Sequence, residues 1–297
     1  MATNKHIFKG AATALITPFR DGEVDYASLE KILEFQIAGG IDALVICGTT
    51  GEPATLDDDE HRRVLSFCAE KINGRVPFIA GTGSNSTDYA VDLTKFAKSV
   101  GADAALLVTP YYNKCSQSGI VRHFNAIADS ADIPCILYNV PSRTGFCISL
   151  DSYKQLADHP NIVAVKEASG KVELMMEFLE SCGDRMDLYI GDDHLIVPLM
   201  SMGAKGVISV FSNVMPAETA RIASCCLKGD FASAAQLQLK YLRLMNAMFM
   251  QVNPIPVKTA MAKMGYCENE FRMPLCPMED DENEKLYSLM REHGLIG

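Results

Sequence analysis

Lys166 is the residue of this sequence best placed for covalent chemistry. It directly follows the apolar run 162–165, and an amine at the end of a buried run loses hydration, which lowers its pKa. A neutral amine can attack a carbonyl carbon, and Tyr138, at the end of a neighbouring run, can relay the proton that Schiff-base formation requires. The alternative is an ordinary lysine paired with Glu167 or with an acid from a loop.

Two further positions could bind carboxylates. Thr49 and Thr50 lie in the motif GTTGE at 48–52, after another apolar run, where hydroxyls and loop amides could hold a small anion. Arg143 follows Tyr138 closely, and its guanidinium could clamp a second carboxylate through two hydrogen bonds. A glycine turn without a ligand and a surface ion pair are the competing interpretations.

The elements that must position these residues are eight short apolar runs rich in Val, Ile and Leu. Most begin about 25 to 35 residues apart, the length of a strand with its crossover helix, and their continuous apolarity indicates parallel strands buried on both faces. Eight such units favour a (β/α)8 TIM barrel, with its active site where the strands end, over an open doubly wound sheet. The runs begin near Ala12, Ile41, Val76, Ala104, Ile133, Asn161, Asp187 and Lys205.

Local signals mark the ends of the helices. Gly40, Gly101 and Gly203 precede similar apolar stretches, and we expect each to end a helix in the left-handed conformation. Thr55 and Asp58 resemble a capping box at the start of a helix.

The last part of the chain is expected to be helical. After about residue 229 the strand signals stop, and apolar residues recur at helical spacing. We therefore divide the chain into a catalytic barrel at 1–229 and a C-terminal helical domain at 230–297. The methionine-rich face of this domain is expected to serve packing.

Composition excludes several classes of function. The 37 acidic and 27 basic residues give a net charge of −10, far from the basic balance that binding to nucleic acid requires. The longest uncharged stretch, 244–257, is too short to cross a membrane. The N-terminus lacks the layout of a signal peptide, and the ten cysteines show no C-x-x-C spacing, so we expect reduced thiols in the cytoplasm.

The sequence also lacks the common cofactor motifs. The six histidines show no H-x-H or HExxH spacing, which argues against a metal-dependent aldolase. Residues 81–83 lack the third glycine of a dinucleotide fingerprint, and no G-x-x-x-x-G-K-[ST] loop occurs. We expect no cofactor and no metal.

Taken jointly, these motifs resemble those of the dihydrodipicolinate synthase family, one of the pyruvate-dependent class I aldolases, which also include N-acetylneuraminate lyase. The resemblance covers nearly the whole chain. The motifs that carry it are GAATALITPF at 10–19, GTTGE at 48–52, TPYYN at 109–113, YNVPSRTG at 138–145, VKEA at 165–168 and NPIPVK at 253–258.

The resemblance implies a cofactor-free lyase of lysine and diaminopimelate biosynthesis. Lys166 would form an imine with pyruvate, and the derived enamine would attack L-aspartate 4-semialdehyde. Tyr138, Thr49 and Tyr112 would form the proton relay, with Tyr112 reaching in from a neighbouring subunit. The family also suggests a homotetramer, assembled as a dimer of dimers.

The same resemblance assigns the substrate contacts. Thr50 would hold the carboxylate of pyruvate, and Gly191 and Ile208 would line the pocket through their backbones. Arg143 would receive the carboxylate of the semialdehyde, which favours the synthase over N-acetylneuraminate lyase and the 2-keto-3-deoxy-sugar acid aldolases, since a neutral sugar aldehyde needs no such cation. A non-catalytic sensor of oxo acids is a further alternative.

A regulatory site for lysine is only partly matched. In feedback-inhibited members, lysine binds at the dimer interface. Pro53, Asp58 and Tyr89 replace the serine, histidine and glutamate that are usual there, and the missing glutamate predicts little or no inhibition by lysine. The matching residues are Ala54, His61, Asn85 and Tyr111.

Overall fold

A computed structural model describes residues 6–297. The expectation that the chain carries no signal peptide rests on residues 1–6, and of these 1–5 lie outside the described residues. Within 6–297, no helix combines the length and the apolar composition needed to cross a membrane.

Eight parallel strands close into a barrel, which confirms the predicted fold class. The first barrel strand pairs with the last, Gly10 beside Gly206, and with the second, Ala12 beside Ala43. The described residues form ten strands in all: β1 (Gly10–Ala14), β2 (Phe19–Arg20), β3 (Glu23–Val24), β4 (Ala43–Ile46), β5 (Phe78–Gly81), β6 (Ala104–Val108), β7 (Cys135–Asn139), β8 (Ile162–Glu167), β9 (Asp187–Ile190) and β10 (Gly206–Ser209). β2 and β3, which were not predicted, form a short antiparallel hairpin outside the barrel.

The barrel strands begin close to their predicted positions. β6 and β9 begin at Ala104 and Asp187, as expected. The others are displaced by one or two residues, as in β1, which begins at Gly10 rather than Ala12. Apolar runs therefore located the strands well, because a strand that is buried on both faces carries mostly apolar residues.

Helices surround the barrel and continue past it. They are α1 (Tyr26–Ala38), α2 (Asp58–Ile72), α3 (Thr87–Ser99), α4 (Gln117–Ser130), α5 (Pro141–Thr144), α6 (Leu150–Leu156), α7 (Val172–Cys182), α8 (Ile196–Met200), α9 (Pro216–Leu227), α10 (Phe231–Ala247), α11 (Ile255–Lys263) and α12 (Asp280–Glu292). The helices α10 to α12 make the C-terminal part helical, as expected, and α10 packs against α8 and α9. The division into domains at residues 229 and 230 stays a prediction.

The glycine signals were correct, whereas the capping signal was misplaced. Gly40, Gly101 and Gly203 all have positive φ, at 77°, 94° and 115°. The capping box of α2 is formed by Asp57, whose carboxylate accepts from the Glu60 backbone N–H at 2.7 Å. Thr55 lies two residues before the N-cap, in a separate turn, where its hydroxyl donates to the Glu52 carbonyl.

Candidate active site

Strand alternation turns Lys166 into the barrel. Ala164 belongs to the apolar cluster inside the barrel, together with Tyr138, whereas Val165 belongs to the outer cluster between strands and helices. Because successive side chains alternate, Lys166 points inward with Ala164 and Glu167 points outward with Val165. The two charged groups of this strand end are therefore separated by the sheet itself.

The Glu167 carboxylate is hydrogen-bonded to several groups on the outer side of the barrel. Its carboxylate accepts from Tyr153 Oη at 2.7 Å, from Asn139 Nδ2 at 2.9 and 3.1 Å, and from the Ser169 backbone N–H at 2.8 Å. The alternative in which Lys166 pairs with Glu167 is therefore wrong. Since Asn139 follows Tyr138 and Glu167 follows Lys166, this network also fixes the ends of β7 and β8 relative to each other.

The Lys166 amine is buried and lies 4.4 Å from the centre of the Tyr138 ring. Burial lowers its pKa from 10.5 to about 8, and the nearby carboxylates of Asp193 and Asp192 oppose that shift only in part. Asp193 is itself held in place, because its Oδ2 accepts from the backbone N–H groups of Val210 and Phe211 at 3.1 and 2.9 Å. The amine is thus a nucleophile that is partly neutral near neutral pH.

Tyr138 lines a cavity of about 510 Å³ at the mouth of the barrel, and Lys166, which lies against the Tyr138 ring, is not among the lining residues. Burial raises the pKa of Tyr138 to about 12, and a hydrogen bond with the Thr49 side chain and the charge of Arg143 oppose the rise. The phenol is therefore protonated at neutral pH and can donate. Tyr138, Thr49 and Arg143 all line the cavity, as the sequence analysis expected of groups at strand ends.

The loop that carries Thr49 and Thr50 is a single 3₁₀ turn, Thr49–Gly51. It is attached to the barrel by Thr17, whose Oγ1 donates to the Gly51 carbonyl at 2.7 Å. Thr50 is buried, and its Oγ1 accepts a hydrogen bond of 3.0 Å from Asn253 Nδ2. The turn is therefore held by contacts on both sides, and whether it binds a ligand stays a prediction.

Arg143 is exposed at the mouth of the cavity rather than paired with a surface acid. Its Nη2 donates to the Asn253 carbonyl at 2.7 Å. Asn253 thus contacts both candidate carboxylate-binding residues, Thr50 through its amide and Arg143 through its carbonyl. No role was predicted for Asn253, although it opens the motif NPIPVK at 253–258.

Gly191 and Ile208 lie deeper than the cavity lining. Ile208 is fully buried in the apolar cluster inside the barrel. Gly191 is required by close packing, because a Cβ there would lie 2.5 Å from the Ala168 Cβ and 2.9 Å from the Glu167 carbonyl. The Gly191 N–H donates to that carbonyl at 2.8 Å, which ties β9 to the end of β8.

Tyr112 stands apart from the other candidates. It is 95% exposed, with a positive φ of 70°, and among the described residues Tyr111 rather than Tyr112 lines the cavity. Asn85 lies beside this loop and donates through Nδ2 to the Tyr111 carbonyl at 3.2 Å. Within one chain, therefore, Tyr112 does not meet Tyr138 and Thr49.

Most of the candidate regulatory residues line the same cavity, and Asp58 and Asn85 do not. His61 lies 3.0 Å from the Gly81 carbonyl through Nε2, and burial lowers its pKa to about 4, so the ring is neutral and donates. Tyr89 hydrogen-bonds Asp58, whose carboxylate also accepts from Arg62 Nε at 2.9 Å. Over residues 6–297, no group of three or more His, Cys, Asp or Glu side chains could hold a metal ion.

Comparison with known proteins agrees with this geometry. Residues 7–293 match the model of the dihydrodipicolinate synthetase family. The chain belongs to that family. It is 53% identical to the 4-hydroxy-tetrahydrodipicolinate synthase of Geobacter metallireducens over 98% of this chain and 100% of the relative.

Solved structures of the dihydrodipicolinate synthetase family superpose closely on this chain. The enzyme from Aquifex aeolicus has a TM-score of 0.96 and 46% identity, over 97% of this chain and 99% of that one. The chloride-inhibited enzyme from Acinetobacter baumannii, complexed with pyruvate, has a TM-score of 0.95 and 43% identity, over 97% and 99%. The resemblance seen in the motifs is thereby confirmed at the level of the family.

Burial of the charged Lys166 amine has a measurable cost in stability. The unfolded chain binds the proton below pH 10.5 and the native site only below about 8, so the native state is penalised in full below pH 8. The penalty fades as the pH rises from 8 to 10.5. We expect Lys166→Met to raise the free energy of unfolding by about 3 kcal/mol at pH 7, and by much less at pH 10.

Urea unfolding of wild type and Lys166→Met at both pH values measures this difference. Lys154→Met, which removes an exposed lysine, is the control and should leave the stability unchanged. A Lys166→Met protein that is no more stable than wild type at pH 7 would show that the amine is not penalised by burial.

Proposed function

We propose that this chain is a 4-hydroxy-tetrahydrodipicolinate synthase that condenses pyruvate with L-aspartate 4-semialdehyde through an imine on Lys166. The observation that carries the proposal is the buried Lys166 amine under the Tyr138 ring, at the end of a barrel whose relatives are synthases of this name. A pKa of about 8 leaves roughly a tenth of the amine neutral at pH 7 and half at pH 8.

The first step is attack of the Lys166 amine on the C2 carbonyl of pyruvate. The carbinolamine that results must lose its hydroxyl as water, and a protonated Tyr138 is placed to supply the proton. Thr49 would pass a proton back to the Tyr138 phenolate. The negative potential of Asp192 and Asp193 favours the cationic imine over the neutral amine.

The second step joins the two substrates. Loss of a proton from C3 of the imine gives an enamine, whose C3 forms a bond to the aldehyde carbon of the semialdehyde. The aldehyde C=O bond becomes a single bond, its oxygen takes up a proton and stays in the product as a hydroxyl, and the imine on Lys166 is restored. The amino group of the semialdehyde part then attacks C2, which closes the ring and releases the Lys166 amine. No redox change and no co-reactant are needed, so the side chains of the chain suffice.

Two carboxylates must be oriented during these steps. We assign the carboxylate of pyruvate to the Thr49–Gly51 turn with Thr50, and the carboxylate of the semialdehyde to Arg143 at the mouth. A pyruvate complex of the Acinetobacter baumannii relative supports pyruvate as the first substrate. Gly191 and Ile208 are proposed to shape the floor through their backbones, below the cavity lining.

We further propose a complete site that needs a second copy of the chain. Tyr112 is exposed and cannot join Thr49 and Tyr138 of its own chain in this conformation. It would therefore enter the site of a neighbouring subunit, within a homotetramer assembled as a dimer of dimers in the cytoplasm. The catalytic barrel at 1–229 and the helical domain at 230–297 are proposed as the two units of each subunit.

Borohydride trapping tests the function directly. With pyruvate, we expect a reduced adduct that peptide mass mapping places on Lys166, and consumption of L-aspartate 4-semialdehyde in a turnover assay. Lys166→Met is the control and should give neither. An adduct without consumption would indicate a lyase-like or sugar acid aldolase or a sensor, and no adduct would contradict the mechanism.

Complementation tests the shared site. Tyr112→Phe and Lys166→Met are each expected to be inactive, yet a mixed dimer would hold one intact site. Random reassembly should therefore recover about a quarter of the wild-type activity, since half of the dimers are mixed and each has one good site of two. No recovery in mixtures that contain proven mixed dimers would place Tyr112 in the site of its own subunit.

Lysine inhibition tests the altered regulatory residues. Tyr89 offers a hydroxyl already bonded to Asp58, where a glutamate would bind the amine of lysine. We expect no inhibition by L-lysine at concentrations below about 1 mM in initial-rate assays, because the ligand cation lacks its carboxylate partner. Norleucine, which has no amine on its side chain, is the control. Strong inhibition by lysine alone would show that another group binds the cation.

A further inference from the structure

A buried ion pair joins the Thr49–Gly51 turn to the C-terminal helices. Glu52, the residue after the turn, contacts the Nζ of Lys258 in α11. The two side chains are 1% and 0% exposed. The Lys258 ammonium also donates to the Glu270 carbonyl at 3.1 Å and lies 4.0 Å from the centre of the Phe19 ring.

The backbone at Glu52 depends on this anchor. Its φ and ψ of 51° and 42° lie in the left-handed region, which is unfavourable for a residue with a side chain. The Glu52 N–H donates to the Thr49 carbonyl at 3.2 Å and so closes the turn. A carboxylate held from outside the barrel therefore stabilises the conformation that presents Thr49 and Thr50.

The helix that carries Lys258 also positions Asn253. α11 begins at Ile255, two residues after Asn253, and Asn253 contacts Thr50 and Arg143 as described above. The segment 253–258 therefore contacts the turn on one side of the cavity and the Arg143 guanidinium on the other.

Burying both charged groups removes them from water, and this desolvation costs free energy. Burial raises the pKa of Glu52 and lowers that of Lys258, and their mutual attraction opposes both shifts. A buried ion pair contributes no more stability than a well-packed apolar pair of similar size, so its presence is better explained by the geometry that it imposes.

We propose that the Glu52–Lys258 ion pair, made by two positioning residues, couples the docking of the C-terminal helices to the binding of both substrate carboxylates. This inference rests on the proposed function. The pair touches neither Lys166 nor Tyr138, so it acts on the KM values of the substrates rather than on the nucleophile.

Three variants and one control test the inference. Glu52→Gln and Lys258→Met each remove one charge, and the double variant removes both, which avoids an unpaired buried charge if the single variants fold poorly. Glu60→Gln is the control: Glu60 of α2 pairs with Arg272 at 2.6 Å. Because the Arg272 backbone also hydrogen-bonds Glu52, this change loosens the same C-terminal segment while leaving both charges of the Glu52–Lys258 pair in place. Each protein is assayed for KM, kcat, melting temperature and the pH midpoint of pyruvate adduct formation.

We expect the KM for pyruvate to rise about tenfold in all three variants, with the kcat changed less than about threefold. The pH midpoint should stay at the wild-type value. The double variant should regain melting temperature over the single variants without regaining KM. The Glu60→Gln control should lose melting temperature and keep its KM.

Four results would overturn the inference: an unchanged KM in a folded variant, a normal KM in the double variant, an equal KM shift in the Glu60→Gln control, or a moved pH midpoint. Failure of the proposed function would be distinguishable from failure of this inference, because the wild-type protein itself would then form no pyruvate adduct on Lys166. If wild type forms the adduct and turns over while the variants behave like it, only the positioning role is wrong.

Discussion

Alternation along β8 is the constraint on which the site depends. One strand end carries an amine and a carboxylate in succession, and the pleat sends Lys166 into the barrel and Glu167 out of it. If both faced the same side, they would pair, and the amine would keep its proton. A shift of one residue in the register of this strand would exchange the two groups. The pairing of Lys166 with Tyr189 and of Tyr138 with Lys166 across three strands holds that register.

The barrel alone does not complete the cavity. Its strand ends supply Tyr138 and the turn after β4, but Val252, Asn253, Pro254, Pro274 and Leu275 come from beyond residue 229. Loops at the carboxyl ends of parallel strands are open to solvent unless another element covers them. In this chain the C-terminal segment covers one side, and it does so through hydrogen bonds to Thr50 and Arg143 rather than through apolar contact alone.

Features that depend on local sequence pattern could be predicted, whereas contacts between residues far apart in the chain could not. Strand positions, the left-handed glycines and the groups at the strand ends follow from periodicity and from residue type, so they were found. The Glu52–Lys258 contact joins residues 206 positions apart, and no local pattern links them. The cap of α2 was misplaced although a local signal was present: Asp57 is followed three residues later by Glu60, the glutamate that a capping box requires, whereas Thr55 is followed by Asp58.

Lys166 and Lys258 show how one residue type acquires two roles. Both are buried, and burial lowers the pKa of each. Lys258 contacts a carboxylate and a carbonyl, which oppose the lowering of its pKa, and the residue serves as an anchor. Within residues 6–297, Lys166 has no carboxylate within ion-pair distance, and only the more distant charges of Asp192 and Asp193 favour its protonation. The deciding variable is therefore the distance to the nearest acid: contact makes a buried lysine structural, and separation leaves it available for chemistry.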